Sequence, residues 1–413
     1  AYQNVGIGEN CFIATLTGHS NVGIGAWATT NMTSGSNNVA VGSGALADTT
    51  TGGSNTVIGK SALANNTTGA SNVAIGQEAL YTATEQNSNV AVGYNAGYSA
   101  TTANHSTLVG WNSGASLTTG NHNTFIGHGS GDAATTGYEN VAIGSLCFSA
   151  TGANPYKNIA IGYNALAVNT SNGNVAIGAN ASAAMTSGEA NVAIGLSCMD
   201  AATTAHTNVA MGKGASGALT TGYFNTTVGA HSFEDCTTAP SNTGLGHQSG
   251  MNVTTGSGNT CIGRGAGADL TEGHNNTILG QDAEASAVDV DNEITLGNAY
   301  ITTLRCNDTS IGSLSDRRDK TDIVDLPIGL DFINTLQPRK FKWQTRDGNI
   351  KDGKVRAGFI AQELQTAQVD NEYLDLVYDS NPNRLEAKEG HLIPVLVKAI
   401  QELSTKVAAL EAV

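Results

Sequence analysis

The stretch "NVAIGQEALYTATEQNSNVAVG", Asn72–Gly93, contains its own opening twice, 17 residues apart. Working outward, the same five-residue phrase begins at residues 4, 21, 38 and 55 on one side and continues to 276 and 293 on the other, eighteen copies in all. The spacing departs from 17 in one place, an 18 followed by a 16 around "NPYKNIAIG" (Asn154–Gly162). A fixed period of this length is the signature of a solenoid, in which each repeat is one rung. "NVAI" is short and rich in β-branched residues, so it reads as a strand. The fifth residue is Gly in all eighteen copies, which marks a backbone with positive φ or a close approach of another chain segment. The first is Asn in sixteen copies, with Ser106 and Glu293 as the exceptions. A buried amide needs partners, so this column reads as a hydrogen-bonded ladder between rungs.

Side chains alternate faces along a strand. The second and fourth residues point one way and are apolar or Thr. The third points the other way and is usually Ala or Gly, with Val57, Leu108, Phe125 and Ile278 among the larger ones. A strand apolar on both faces is buried on both. One face is expected to fill a thin interior. The other is expected to pack on a neighbouring chain, with small residues allowing close approach.

Charge divides the chain. Residues 1–300 hold 4 Lys+Arg and 17 Asp+Glu, and residues 301–413 hold 15 and 17. The formal net charge is −15, which argues against nucleic-acid and anionic-membrane partners. No apolar run is long enough to span a bilayer, so no membrane insertion is expected. The repeat is under way by Asn4 and residue 1 is Ala, so a longer parent chain is expected. Cys11, Cys147, Cys198, Cys236, Cys261 and Cys306 show no CxxC spacing and the His residues no HExxH spacing. Buried thiols, no metal and no cofactor are therefore expected. Trp27 and Trp111 fall just past the strand, where an exposed ring could stack on a sugar. The "TTG" column sits at a corner and is too broken for an ice-binding face. The acids Glu234, Asp235, Asp282 and Glu284 are the nearest to a glycosidase pair, and they read as solvated turns.

"NVAIGxxA" repeated along a Gly- and Ala-rich array resembles the β-roll heads of trimeric autotransporter adhesins, although the rung here is longer. The resemblance implies a homotrimeric rod. An intertwined triple β-helix of the phage-fibre type is the alternative architecture.

Past residue 300 the ruler stops. "SDRRDKTDI" (Ser315–Ile323) is followed by "IGLDFINTL", read as a short helix, "RKFKWQ", read as a strand containing Trp343, and "AGFIAQELQ", read as a helix start. In the last segment Ile393, Ile400 and Val407 form one heptad column and Leu396, Leu403 and Leu410 another, the seam of a coiled coil. This ordered series resembles the C-terminal intramolecular chaperone of endosialidase-type tailspikes and phage fibres. The resemblance implies a module that trimerises, templates the shaft before it and then cuts itself off between Leu314 and Ser315, with Ser315 as nucleophile and Lys320 as general base. A serine hydroxyl attacks once a base takes its proton, and a lysine partly withdrawn from water in a trimer interface is such a base.

The expected fold class is therefore mainly β: a rod over 1–300, a connector over 301–314, and an α+β chaperone and autopeptidase over 315–413 ending in a coiled-coil helix. The expected function is that of a structural phage tail fibre located in the virion. Its partners would be a homotrimer, other virion tail proteins and a host surface receptor such as a glycan. Its only catalysis would be on itself. A polysaccharide-degrading tailspike and a bacterial surface adhesin are the alternatives.

Overall fold

The computed structural model describes residues 3–149, 154–301, 303–305, 315–342, 353–379 and 385–412. Cys306, Leu314, Trp343 and most of the expected connector lie outside these. The chain divides into two compact units, Ala1–Leu296 and Gly297–Val413.

The first unit is a β-solenoid. Eighteen three-residue strands, β1 (Val5–Ile7) to β18 (Ile294–Leu296), form one parallel sheet. Each strand pairs with the next in the same chain, in register one repeat on: Val39 lies beside Thr56, and Thr56 beside Val73. That pairing excludes an intertwined triple helix for these strands, because every rung's neighbours belong to its own chain. The 18-and-16 irregularity leaves the register intact, with Ile159 between Val141 and Val175.

The rest of each rung is turns. Three residues per rung adopt left-handed φ, as Ser61 (53°), Leu63 (48°) and Ser71 (60°) do in one of them. The strand-ending Gly is a separate case. From Gly8 to Gly280 its φ stays between 125° and 142°, and a Cβ on Gly42 would stand 2.5 Å from the carbonyl oxygen of Gly59 on the next rung. Both the dihedral and the crowding forbid a side chain, which accounts for a column without exceptions.

The Asn column forms the expected ladder inside the rod. The Oδ1 of Asn174 accepts from the backbone N–H (3.0 Å) and Nδ2 (3.1 Å) of Asn191. The Nδ2 of Asn191 also donates to the Ala205 carbonyl at 2.7 Å, and its Oδ1 accepts twice from Asn208. Each amide is thus used at both ends while wholly buried. Ser106 keeps the chain of bonds going, accepting at Oγ from the Asn123 N–H at 3.2 Å.

The face assignment differs from the expectation in one respect. The small third-position residues turn inward (Ala40, Ala74 and Ala142 are buried), and the aliphatic second and fourth residues turn outward. The interior is too thin for large side chains from both of its walls. A buried Leu, Phe or Met six residues after the small residue fills it from the opposite side, as Leu46, Leu63, Leu80 and Met199 do. Where the strand residue is large, the opposite one becomes Gly. A Cβ on Gly131 would meet the Phe125 ring at 2.5 Å, and one on Gly114 would meet Leu108 at 2.8 Å. Phe233, opposite Thr227, reaches into the next rung, where a Cβ on Gly244 or Gly250 would meet its ring at 2.7 or 2.5 Å. Volume is conserved across the core although neither column is.

The second unit has a small apolar core of Phe332, Leu336, Leu364, Leu374, Leu376, Val377, Leu392 and Val395. It is built from α1 (Leu330–Ile333), an antiparallel pair β19 (Arg339–Lys342) and β20 (Val355–Gly358), α2 (Ala361–Ala367), a shorter pair β21 (Val377–Tyr378) and β22 (Glu386–Ala387), and α3 (Ile393–Glu411). The Glu402 carboxylate of α3 accepts from the Leu330 N–H at 2.8 Å and so caps α1.

Two outcomes follow. Asn191→Ala leaves the Ala205 carbonyl without its amide donor and the Asn208 N–H without an acceptor. It should therefore destabilise the rod by about 3 kcal/mol or more, read as a lowered denaturant midpoint. Phe125→Ala should cost about 3–5 kcal/mol, and adding Gly131→Leu should recover much of it, whereas Gly131→Leu alone should destabilise. Independent, additive losses in the double variant would contradict the volume exchange.

Candidate functional site

Ser315 and Lys320 meet across a single turn. The backbone is extended at Asp316 (ψ 134°) and at Lys320 (ψ 139°), with one turn of 3₁₀ helix, Arg317–Asp319, between them. That reversal places Lys320 Nζ 2.6 Å from Ser315 Oγ. Asp316 caps the turn: its Oδ1 accepts from the Arg318 N–H at 2.9 Å. The same carboxylate takes the Arg318 guanidinium in a fork, Nε to Oδ1 at 3.1 Å and Nη2 to Oδ2 at 2.6 Å. The guanidinium, with help from the backbone bond, holds the Asp316 carboxyl below its usual range. Every residue from Ser315 to Ile323 is exposed in the single chain.

Elsewhere in this unit, Glu363 on α2 receives Arg339 of β19 through two nitrogens, at 2.9 and 2.7 Å. Along α3 the buried residues are Val395 and Ala399, which face the unit's own core. The six seam residues, from Ile393 to Leu410, are exposed, Leu410 by 77%. The helix therefore has two apolar sides. One is used within the chain, and the other is the heptad seam.

Several other residues singled out in the sequence have architectural roles. Trp111 is exposed, but it lies in a stack with Tyr94 (6.3 Å) and His128 (4.7 Å) on the neighbouring rungs. Its faces are covered, so a sugar would meet ring edges there. The "TTG" threonines donate rung to rung, as Thr50 Oγ1 does to the Thr67 carbonyl at 3.1 Å. Glu234 pairs with His231 at 2.9 Å and Asp282 with Arg264, so neither is half of a carboxylate pair. Among the described residues, no group of three His, Cys, Asp or Glu is placed to hold a metal.

Sequence reading missed one constellation, Ser257, His274 and Asp291, which occupy the same corner of three successive rungs. Ser257 Oγ lies 3.0 Å from His274 Nδ1. Asp291, however, accepts from the His274 backbone N–H at 2.6 Å and not from its ring. Nδ1 itself accepts from the Ser257 N–H at 3.0 Å. This is the outer rung-to-rung ladder that Asn87, Asn104 and Asn121 build elsewhere, and not a catalytic triad.

The described cysteines are free, and four of them are buried. Burial pushes the thiols of Cys198 and Cys261 up to about 12 and that of Cys236 to about 11.

Residues 315–373 match the family model of the chaperone of endosialidase. The segment that carries the Ser315–Lys320 contact thus opens the matched region, and a β-solenoid precedes it. Among curated proteins, none matches the chain. A β-solenoid followed by this domain supports a tail fibre or tailspike type of protein with a C-terminal chaperone.

The thiols set a pH dependence. The unfolded chain sheds these protons near 9.0, while folded Cys198 and Cys261 hold theirs to about 12, so the native state binds more protons in that window and stability falls as pH rises. A thermal midpoint measured at about pH 8 and about pH 10.5 should drop, and the drop should shrink in Cys198→Ala/Cys261→Ala. An unchanged slope in the double variant would assign the effect to other groups.

Proposed function

We propose that the chain is the distal part of a phage tail fibre, located in the virion, whose C-terminal unit assembles three chains, templates the rod and then releases itself by cutting between Leu314 and Ser315. The observation that carries this reading is the 2.6 Å contact between Lys320 Nζ and Ser315 Oγ at the start of the matched domain.

In this reading residues 1–300 are the shaft, 301–314 the connector and 315–413 the chaperone. With Lys320 neutral, Ser315 Oγ attacks the carbonyl carbon of Leu314 and Lys320 takes the hydroxyl proton. The C–N bond breaks as Lys320 returns that proton to the Ser315 nitrogen, leaving Leu314 esterified on Oγ. Water then hydrolyses the ester, which frees the Leu314 carboxylate and restores the hydroxyl. Ser315 and Lys320 are exposed in one chain, so the desolvation that favours a neutral lysine must come from neighbouring copies. Assembly would then gate the cut.

Two unpartnered apolar stripes support three-fold assembly. One is the α3 seam. The other is the outward strand face, where all eighteen fourth-position residues, from Ile7 to Leu296, are aliphatic or Met. A face about 85 Å long and about one strand wide offers on the order of 800 Å² per chain, the scale of a stable interface. A receptor at the host surface and contacts with other tail proteins complete the proposal.

Denaturing gels and intact mass of the 42.0 kDa chain beside Ser315→Ala test it. Wild type should yield a fragment ending at Leu314, and the variant should remain whole. A wild-type chain that stays whole while trimeric would refute self-cleavage and leave a permanent trimer cap.

A further inference from the structure

The contact between Ser315 and Lys320 raises a question of support. Both side chains are exposed, and the turn that joins them buries no residue. Among the described residues, no apolar packing fixes its shape. Its backbone bonds are the longer ones, Asp319 N–H to the Asp316 carbonyl at 3.2 Å and Lys320 N–H to the Arg317 carbonyl at 3.3 Å. What remains is one carboxylate. Asp316 receives the Arg318 backbone N–H and, through both oxygens, the Arg318 guanidinium. The first bond sets the entry into the turn. The second ties the turn's middle residue back to its start, and the forked geometry makes it directional. Lysine has four rotatable side-chain bonds, so a drift of the backbone at residue 320 separates Nζ from Oγ readily.

From this geometry we infer that Asp316 and Arg318 form a positioning clamp for the cleavage reaction. In this reading neither forms or breaks a bond. Their role is to hold Lys320 within proton-transfer distance of Ser315 once assembly has withdrawn the site from water. The inference rests on the self-cleavage reading and names the residues on which its rate depends. It separates two tasks in one short segment: Ser315 and Lys320 carry the chemistry, and Asp316 and Arg318 carry its geometry.

The test measures the first-order rate of cleavage in assembled full-length chain, for wild type, Asp316→Ala, Asp316→Asn, Arg318→Gln and Asp316→Asn/Arg318→Gln. Asp316→Ala loses cap and fork together and should slow cleavage about tenfold with trimer yield and thermal midpoint unchanged. Asp316→Asn keeps a capping oxygen and should retain more of the rate. An ion-paired clamp is screened by salt, so the wild-type rate should fall as NaCl rises, and that dependence should vanish in Asp316→Asn and in Arg318→Gln. The double variant should be no slower than the slower single one. A merely structural role would lower trimer yield and leave the salt dependence in place.

Asp316→Ala cleaving at the wild-type rate would overturn the clamp and leave the dyad standing. If Asp316→Ala fails to assemble, the two milder variants decide through their salt dependence and their non-additivity. A wild-type chain that assembles and never cleaves would remove the self-cleavage reading, and the clamp with it.

Discussion

The rod depends on one repeated hydrogen bond, an asparagine side chain reaching from its own rung to the next. A buried amide has two donors and an acceptor with two lone pairs, and leaving them unmet is costly. Asn38, Asn55 and Asn72 satisfy this need through identical partners one rung away. Because the partner sits at the same place in every rung, the ladder specifies stacking distance and register together. The aliphatic strand face alone would tolerate a slip, since one Val or Ile packs much like another. The amides do not tolerate it, because a displaced Asn strands several polar groups in a dry interior. Glu293, at the last rung, takes the Asn276 oxygen on its own N–H and then turns its carboxylate to Ser286 and Thr295, so the ladder ends there without an orphan.

Much of this is legible in the sequence. The 17-residue period, the strand, the obligatory Gly and the Asn column are all visible as columns in the sequence, because a solenoid writes its three-dimensional neighbours at constant offset. What alternation could not decide was which face points inward. Both faces are apolar, and the deciding fact is a thickness: the rod has room for one large side chain per rung. The exchange between Phe125 and Gly131, or between Leu108 and Gly114, shows that constraint directly, yet it links columns six residues apart that look unrelated when each is read alone. Left-handed φ at residues such as Leu63 and Trp27 was likewise hidden, since no propensity marks Leu or Trp for it and only the closure of the rung demands it.

The C-terminal unit was legible in another way. The order of its short motifs carried the resemblance, and the Ser315–Lys320 pair was named on that ground. Spacing alone could not have done it, since a Ser and a Lys five residues apart meet only if the intervening turn closes. The cap that closes it, Asp316 on Arg318, is a local signal of the kind that begins many helices. On α3 the heptad columns, read in the sequence as a coiled-coil seam, lie exposed in the single chain, while Val395 and Ala399, which are buried, fall between those columns and went unnoticed.

The 18-and-16 pair near Asn154 shows how such a rod absorbs change. One residue too many in one rung is cancelled by one too few in the next, and every strand beyond resumes its place. A whole rung is a quieter edit still. Removing or duplicating 17 residues would join an Asn to an Asn, a Gly to a Gly and an open carbonyl to a waiting amide. Its genetic counterpart is an in-frame block of seventeen codons. The reach of the rod is therefore a quantity that heredity can adjust in steps of about 4.8 Å, wherever the core side chains brought together at the join fit one another.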